Sequence, residues 1–97
     1  MHIGLCKFIL RLPENQSLKG KRAVVKSLCR KIQHRFHVTI DEVAELDKWQ
    51  IAHVGVAFIH PDVKHIQQSL DHIIHYVITY QGNYELLDHT QDIIQAL

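Results

Sequence analysis

Positive charge is concentrated in one short stretch of the sequence, SLKGKRAVVKSLCRK, which spans residues 17–31. Six of its fifteen residues are Lys or Arg and none is acidic, although the 97-residue chain has a formal net charge of only +1. Ammonium and guanidinium groups gathered on one surface bind anions, above all the phosphates of nucleic acids or of small phosphorylated molecules. The chemistry that this stretch predicts is therefore anion binding.

The spacing of these cations places four of them on one side of a helix. They are separated by three, four and four residues, which is the helical repeat. We call this set the basic row: Lys19, Arg22, Lys26 and Arg30. Apolar side chains recur at helical spacing on another side of the same segment. Residues 18–36 are therefore predicted to form an amphipathic helix whose basic row faces solvent.

The start of this helix is a second candidate anion site. Ser17 is a plausible N-cap, yet cations follow it where the helix dipole favours acids, each unfavourable by about 0.3–1 kcal/mol. A phosphate held by free backbone amides would compensate, and Gly20 would let it approach the backbone. The alternative is a solvated helix face that binds nothing. The candidate anion- or nucleic-acid-binding residues are Ser17, Lys19, Lys21, Arg22, Lys26 and Arg30.

The charges of the chain are divided between its two parts. Residues 1–37 contain nine of the eleven Lys and Arg residues and a single acid, whereas residues 38–97 contain nine of the ten acids. Such a division indicates a molecule with two differently charged faces. It leaves open a second partner for the basic helix, namely the acidic surface of another protein.

The sequence predicts no catalytic residues, no cofactor and no metal. His72 and His75 lie one helical turn apart, but no third ligand at a zinc-site spacing accompanies them. Cys6 and Cys29 lie in apolar surroundings and are predicted to be reduced core thiols. No nucleophile motif or phosphate-binding glycine loop is present, so an enzyme that acts on a small phosphorylated substrate stays open only through the basic helix start.

The elements that must position these residues follow the order βαββαβ. Periodicity predicts strands at residues 2–12, 38–46, 49–59 and 84–95 and helices at 18–36 and 61–80. This order is typical of the α+β class and of one ferredoxin-like domain over residues 1–97, a four-stranded antiparallel sheet with two helices on one face. The apolar run IGLCKFILRL is interrupted by Lys7 and Arg11 and is too short to span a membrane, so a cytoplasmic location is expected.

The face of the sheet away from the helices is predicted to be apolar, with Leu5, Ile9, Ile51 and Ala57 on it, which favours a homodimer. The third strand, VGVAFIHP, lacks two of the three aromatic residues of an RNA-recognition motif, so we expect no base recognition there and place Phe58 toward the helices. Trp49 is predicted to pack into the structure, with stacking on a base as the less favoured alternative. The acids of the second strand are predicted to protect a sheet edge, and they are Asp41, Glu45 and Asp47.

Several segments together resemble the YlxP-like family of small bacterial proteins of unknown function. They are SLKGKRAVVKSL (17–28), Arg35, Phe36 and Val38, EVAELDKWQ (42–50) and GVA (55–57). The resemblance implies a ferredoxin-like fold and, because genes of the family often lie beside those for translation factors, an RNA or ribosome context. It implies no catalytic residues. The family's helix-start motif matches Ser17, Leu18, Lys19, Lys21 and Arg22, while Gly20 replaces a residue that is commonly charged.

Two functional hypotheses follow. The first is an RNA- or ribosome-associated binding module whose basic helix contacts phosphates, in translation or ribosome maturation. The second is a non-enzymatic interaction protein that dimerises through its open sheet face and binds an acidic protein partner.

Overall fold

The chain folds into four strands and two helices in the predicted order. A computed structural model describes all 97 residues. The elements are β1 (His2–Arg11), α1 (Leu18–Phe36), β2 (Thr39–Ala44), β3 (Ile51–His60), α2 (Val63–Thr79) and β4 (Glu85–Gln95). Neither helix is long and apolar enough to cross a membrane.

The strands form one antiparallel sheet in the order β2-β3-β1-β4, which confirms the ferredoxin-like α+β fold. Strands β1 and β3 lie in the centre, where Lys7 pairs with Gly55 and Leu5 with Ala57. Strands β2 and β4 form the two edges. Along β1, β2 and β3 the side chains alternate between a face covered by the helices and an open face, as the period of two requires.

The core lies between the sheet and the helices. Alternate residues of the central strands are buried beneath the helices, and both helices turn their apolar stripes toward them. The largest contributions come from Phe8, Leu10, Leu28, Ile32, Ile66, Leu70 and Ile73, each at most 1% exposed. This packing fixes which side of α1 remains available to a partner.

Side-chain caps determine where both helices begin. The Ser17 hydroxyl accepts a hydrogen bond from the Gly20 amide (2.9 Å), so α1 begins at Leu18 as predicted. Asp62 caps α2 by accepting a bond from the Lys64 amide (3.1 Å). Helix α2 therefore begins at Val63 rather than at residue 61, because Asp62 adopts the extended conformation of a cap.

Aspartate side chains accept hydrogen bonds from backbone amides of both edge strands. Asp41 accepts a bond from the Glu42 amide on β2, and Asp88 and Asp92 accept from the His89 and Ile93 amides on β4, each at 2.8 Å. An amide bonded in this way is less available to a further strand, which limits edge-to-edge pairing. Of the three acids expected to protect the β2 edge, Asp41 lies in the strand, whereas Glu45 and Asp47 follow it in the connection to β3.

Candidate nucleic-acid interface

The basic row forms an exposed line of cations along α1. All four of its residues are exposed, and none takes part in an ion pair. The ion pairs of the chain use other cations and join Arg11 to Glu85, Lys21 to Glu42, and Lys48 to Glu45. The positive charge of the basic row is therefore left without an intramolecular partner.

A groove runs along the row, between α1 and the edge strand β2. Its volume is about 610 Å³, and three members of the row, Arg22, Lys26 and Arg30, line its helix wall. Asp41 and Glu42 lie on the strand wall, and the apolar lining includes Val25, Cys29 and Ile40. The basic row thus faces solvent on one side and, across the groove, the acidic residues of β2 on the other.

Lys21 does not belong to this surface, and its prediction as an anion-binding residue is wrong. Its side chain is fully buried, and its Nζ donates to the carbonyls of Glu45 (2.9 Å), Leu46 (3.3 Å) and Ile51 (3.2 Å). The same Nζ lies 2.7 Å from Glu42 Oε2. Lys21 therefore fastens α1 to the β2–β3 connection from inside and cannot reach an external phosphate.

The start of α1 is already occupied by the protein's own polar groups. Ser17 uses its hydroxyl as the cap, and the Asn15 amide donates to the Ser17 carbonyl (2.7 Å) and to the Trp49 carbonyl. A Cβ built on Gly20 would overlap Asn15 Oδ1. Gly20 thus makes room for the Asn15 side chain, not for a phosphate, and the geometry does not support a preformed anion site at this corner.

The opposite flank of α1 carries cations that contact aromatic rings. Arg35 Cζ lies 5.5 Å from the Tyr76 ring centroid, and Lys31 Nζ lies 5.0 Å from that of Tyr80. Lys31 also donates to the Tyr80 hydroxyl at 2.6 Å. Sequence reasoning missed this cluster, although Tyr76, Tyr80 and Tyr84 recur every four residues, which was the available signal.

Both cysteines are free and lie against the core, as predicted. Burial raises the pKa of each thiol to about 11, and at Cys29 the negative charges of Asp41 and Glu42 add to the effect of burial.

We expect alkylation of Cys6 and Cys29 by iodoacetamide at pH 8 to be at least about tenfold slower in the folded protein than in urea, because only the thiolate reacts. Mass spectrometry of both states checks this, and equal rates would contradict it.

Histidines and acids do not gather into a metal site. The structure contains no group of three or more His, Cys, Asp or Glu side chains placed to hold an ion. His72 and His75 are both exposed on α2.

The open face of the sheet carries the apolar residues expected there. Leu5, Ile9, Ile51 and Ala57 are half-buried, and no helix covers them. Phe58 lies on the helix side, where it and Ile66 surround Gly4, as predicted. Trp49 is 53% exposed in the β2–β3 connection, so the prediction that it packs into the structure is wrong.

Comparison with known proteins gives a family and a fold. The sequence model of the family described as "Protein of unknown function (DUF503)" matches residues 3–91. The chain is 31% identical over 61 residues to "Uncharacterized protein YlxP" of Bacillus subtilis (strain 168), an alignment that covers 63% of this chain and 66% of that relative. Among solved structures, "De novo designed protein Foldit4" matches over 100% of both chains with a TM-score of 0.56 and 14% identity, a likeness of fold alone.

Proposed function

The chain belongs to the DUF503 family of proteins of unknown function, and we propose that it is a cytoplasmic RNA- or ribosome-associated module that binds phosphates with α1. The observation that carries the proposal is the basic row, four exposed cations along one helix without an intramolecular partner. Four like charges at this spacing repel one another, and a bound polyanion relieves that repulsion.

The geometry of the row suits a chain of phosphates better than one small anion. From Lys19 to Arg30 the helix rises by about 16 Å, and neighbouring cations lie roughly 5–6 Å apart along its axis. Such a line follows several successive phosphates and makes no contact with base edges. The proposed binding is therefore independent of sequence, and the translation context implied by the YlxP-like resemblance favours RNA as the polyanion.

Salt dependence tests this function directly. If each of the four cations neutralises one phosphate of a single strand, log K against log salt falls with a slope of about −0.7 per contact, or about −3 in total. The measurement is the fluorescence anisotropy of a labelled mixed-sequence single-stranded RNA at several salt concentrations. Absence of binding at low salt, or a flat salt dependence, would overturn the proposal.

A second candidate is a dimeric interaction protein that binds an acidic protein partner. The apolar open face favours it, because Val43 (55% exposed) and Ile59 (63% exposed) extend the patch formed by Leu5 and Ala57. Labelled poly-glutamate in the same titration, with light scattering of the free protein, separates the two candidates. A dimer that binds poly-glutamate and does not bind RNA would favour the second candidate.

A further inference from the structure

A small pocket lies between α1 and the α2–β4 connection, on the side of α1 away from the groove. Its volume is about 300 Å³, at the small end of the range for ligand pockets. We call it the tyrosine pocket. Its lining includes Ala23 and Ser27 of α1 and Tyr80, Gln81, Asn83 and Tyr84 of the connection.

The aromatic wall of this pocket is fixed before any ligand arrives. The rings of Tyr80 and Tyr84 are stacked, with centroids 6.3 Å apart and planes inclined by 23°, and Tyr76 continues the stack at 5.6 Å. The Tyr84 hydroxyl donates to the Val77 carbonyl at 2.7 Å. A Cβ on Gly82 would lie 2.7 Å from the Tyr84 ring and 3.0 Å from that of Tyr80, so this arrangement of the rings requires glycine.

Polar groups surround the aromatic wall. Lys31 Nζ bridges the Tyr80 hydroxyl (2.6 Å) and the Ser27 hydroxyl (3.2 Å), which places a positive charge beside the pocket. The side chains of Gln81 and Asn83 are exposed and form no hydrogen bond within the protein. Aromatic surface with free amide donors and acceptors suits a flat heterocycle that has hydrogen-bonding edges.

The pocket is continuous with the basic row. Ala23 and Ser27 directly follow Arg22 and Lys26, and only their small side chains separate the row from the pocket across the exposed ridge of α1. A strand whose phosphates lie on the row can therefore turn one base over this ridge.

Acidic residues lie in a cavity next to the pocket. A neighbouring cavity shares Gly82, Asn83 and Tyr84 with it and is also lined by Glu14 and Glu85. Glu85 is paired with Arg11, but the Glu14 carboxylate forms no ion pair and disfavours a second phosphate beyond the pocket, whereas a neutral base is not repelled by it.

We propose that the tyrosine pocket takes one unpaired base of a single-stranded nucleic acid whose phosphates lie on the basic row. This inference rests on the proposed function and adds a preference for single strands, because the bases of a duplex are paired and stacked within the helix. The pocket packs the base against tyrosine rings and is tolerant of base identity.

Replacing Tyr80 with leucine tests the pocket. One lost base–aromatic contact weakens binding of single-stranded RNA by about 5- to 150-fold, while the slope against log salt stays unchanged because no phosphate contact is removed. Tyr80→Phe keeps the ring and is expected to bind as the wild type does. Anisotropy titrations of the three proteins, with thermal melts as a check on folding, give the comparison.

An abasic strand with the same number of phosphates separates this inference from the proposed function. We expect it to bind the wild type as weakly as RNA binds Tyr80→Leu, and to be insensitive to that substitution. Equal binding of RNA and abasic strand by the wild type would contradict base binding in the tyrosine pocket but not phosphate binding by the basic row. Binding of neither strand would overturn both proposals.

A readout on the wild type alone removes any dependence on the folding of the variants. A single 2-aminopurine in an otherwise abasic strand is expected to lose fluorescence on binding, because the base packs against the tyrosine rings. Unchanged fluorescence at saturating protein would contradict the pocket even if Tyr80→Leu failed to fold.

Discussion

Replacing Lys21 with methionine is expected to lower the free energy of unfolding by about 3–5 kcal/mol, the range for breaking one side of a buried ion pair. Methionine keeps most of the apolar stem but removes the donor that the carbonyls of Glu45, Leu46 and Ile51 share. It also leaves the Glu42 carboxylate, whose side chain is 11% exposed, without its cation. Because small domains have only about 5–15 kcal/mol of stability, this loss removes a large part of the total.

Urea unfolding at neutral pH measures this loss, and Lys26→Met is the matched control. Lys26 lies five residues further along the same helix but is exposed and unpaired, so its variant is expected to unfold at the wild-type urea concentration. Adding Glu42→Leu to Lys21→Met should restore only part of the loss, because the three carbonyls still lack a donor. A Lys21→Met protein as stable as the control would show that this lysine does not hold the β2–β3 connection in place.

The fold could be predicted because its signals are local and agree with one another. The bounds of α1 follow from the Ser17 cap and from an apolar stripe that runs to Phe36. The order of elements then leaves few topologies, since strands and helices of these lengths pack into two layers. The predicted start of α2 at Pro61 is two residues too early, because Asp62 is the cap and the helix begins at Val63.

Lys21 shows why residue type alone misplaced one site residue. Its position on the helix, four residues before Val25 and seven before Leu28, lies in the middle of the buried stripe. A lysine there is normally excluded from a core, but four oxygens of β2, of β3 and of the connection between them offset the cost of burying it. The position of Lys21 on the buried side of the helix can be predicted from the sequence. The oxygens that accept hydrogen bonds from its ammonium group cannot.

The tyrosine pocket and the closed helix start depend on contacts distant in sequence. Lys31 meets Tyr80 across 49 residues, and Asn15 meets Trp49 across 34. Periodicity indicates which side of a helix is apolar but not which neighbour lies along each flank. The aromatic flank of α1 therefore becomes recognisable only after α2 is packed beside it.

Reversing two charges of the basic row, Lys26→Glu with Arg30→Glu, is expected to weaken RNA binding by on the order of 60-fold at about 50 mM salt. Each phosphate contact contributes about 8-fold at that salt concentration when its slope is −0.7, and two contacts are lost. The introduced carboxylates also repel the strand, so this value is a lower limit. The slope of log K against log salt should fall from about −3 to about half of that, equally for all RNA sequences.

The fold should survive this reversal, because both side chains are exposed and lie away from the buried stripe of α1. The matched control is Lys48→Glu with Lys64→Glu, which changes the net charge by the same amount at two exposed lysines outside the row. If the row itself holds the phosphates, the control keeps nearly all of the binding and most of the slope. Equal losses of RNA affinity in both variants would mean that binding depends only on the net charge of the protein. If the reversal does not change RNA affinity, the basic row is a solvated helix face.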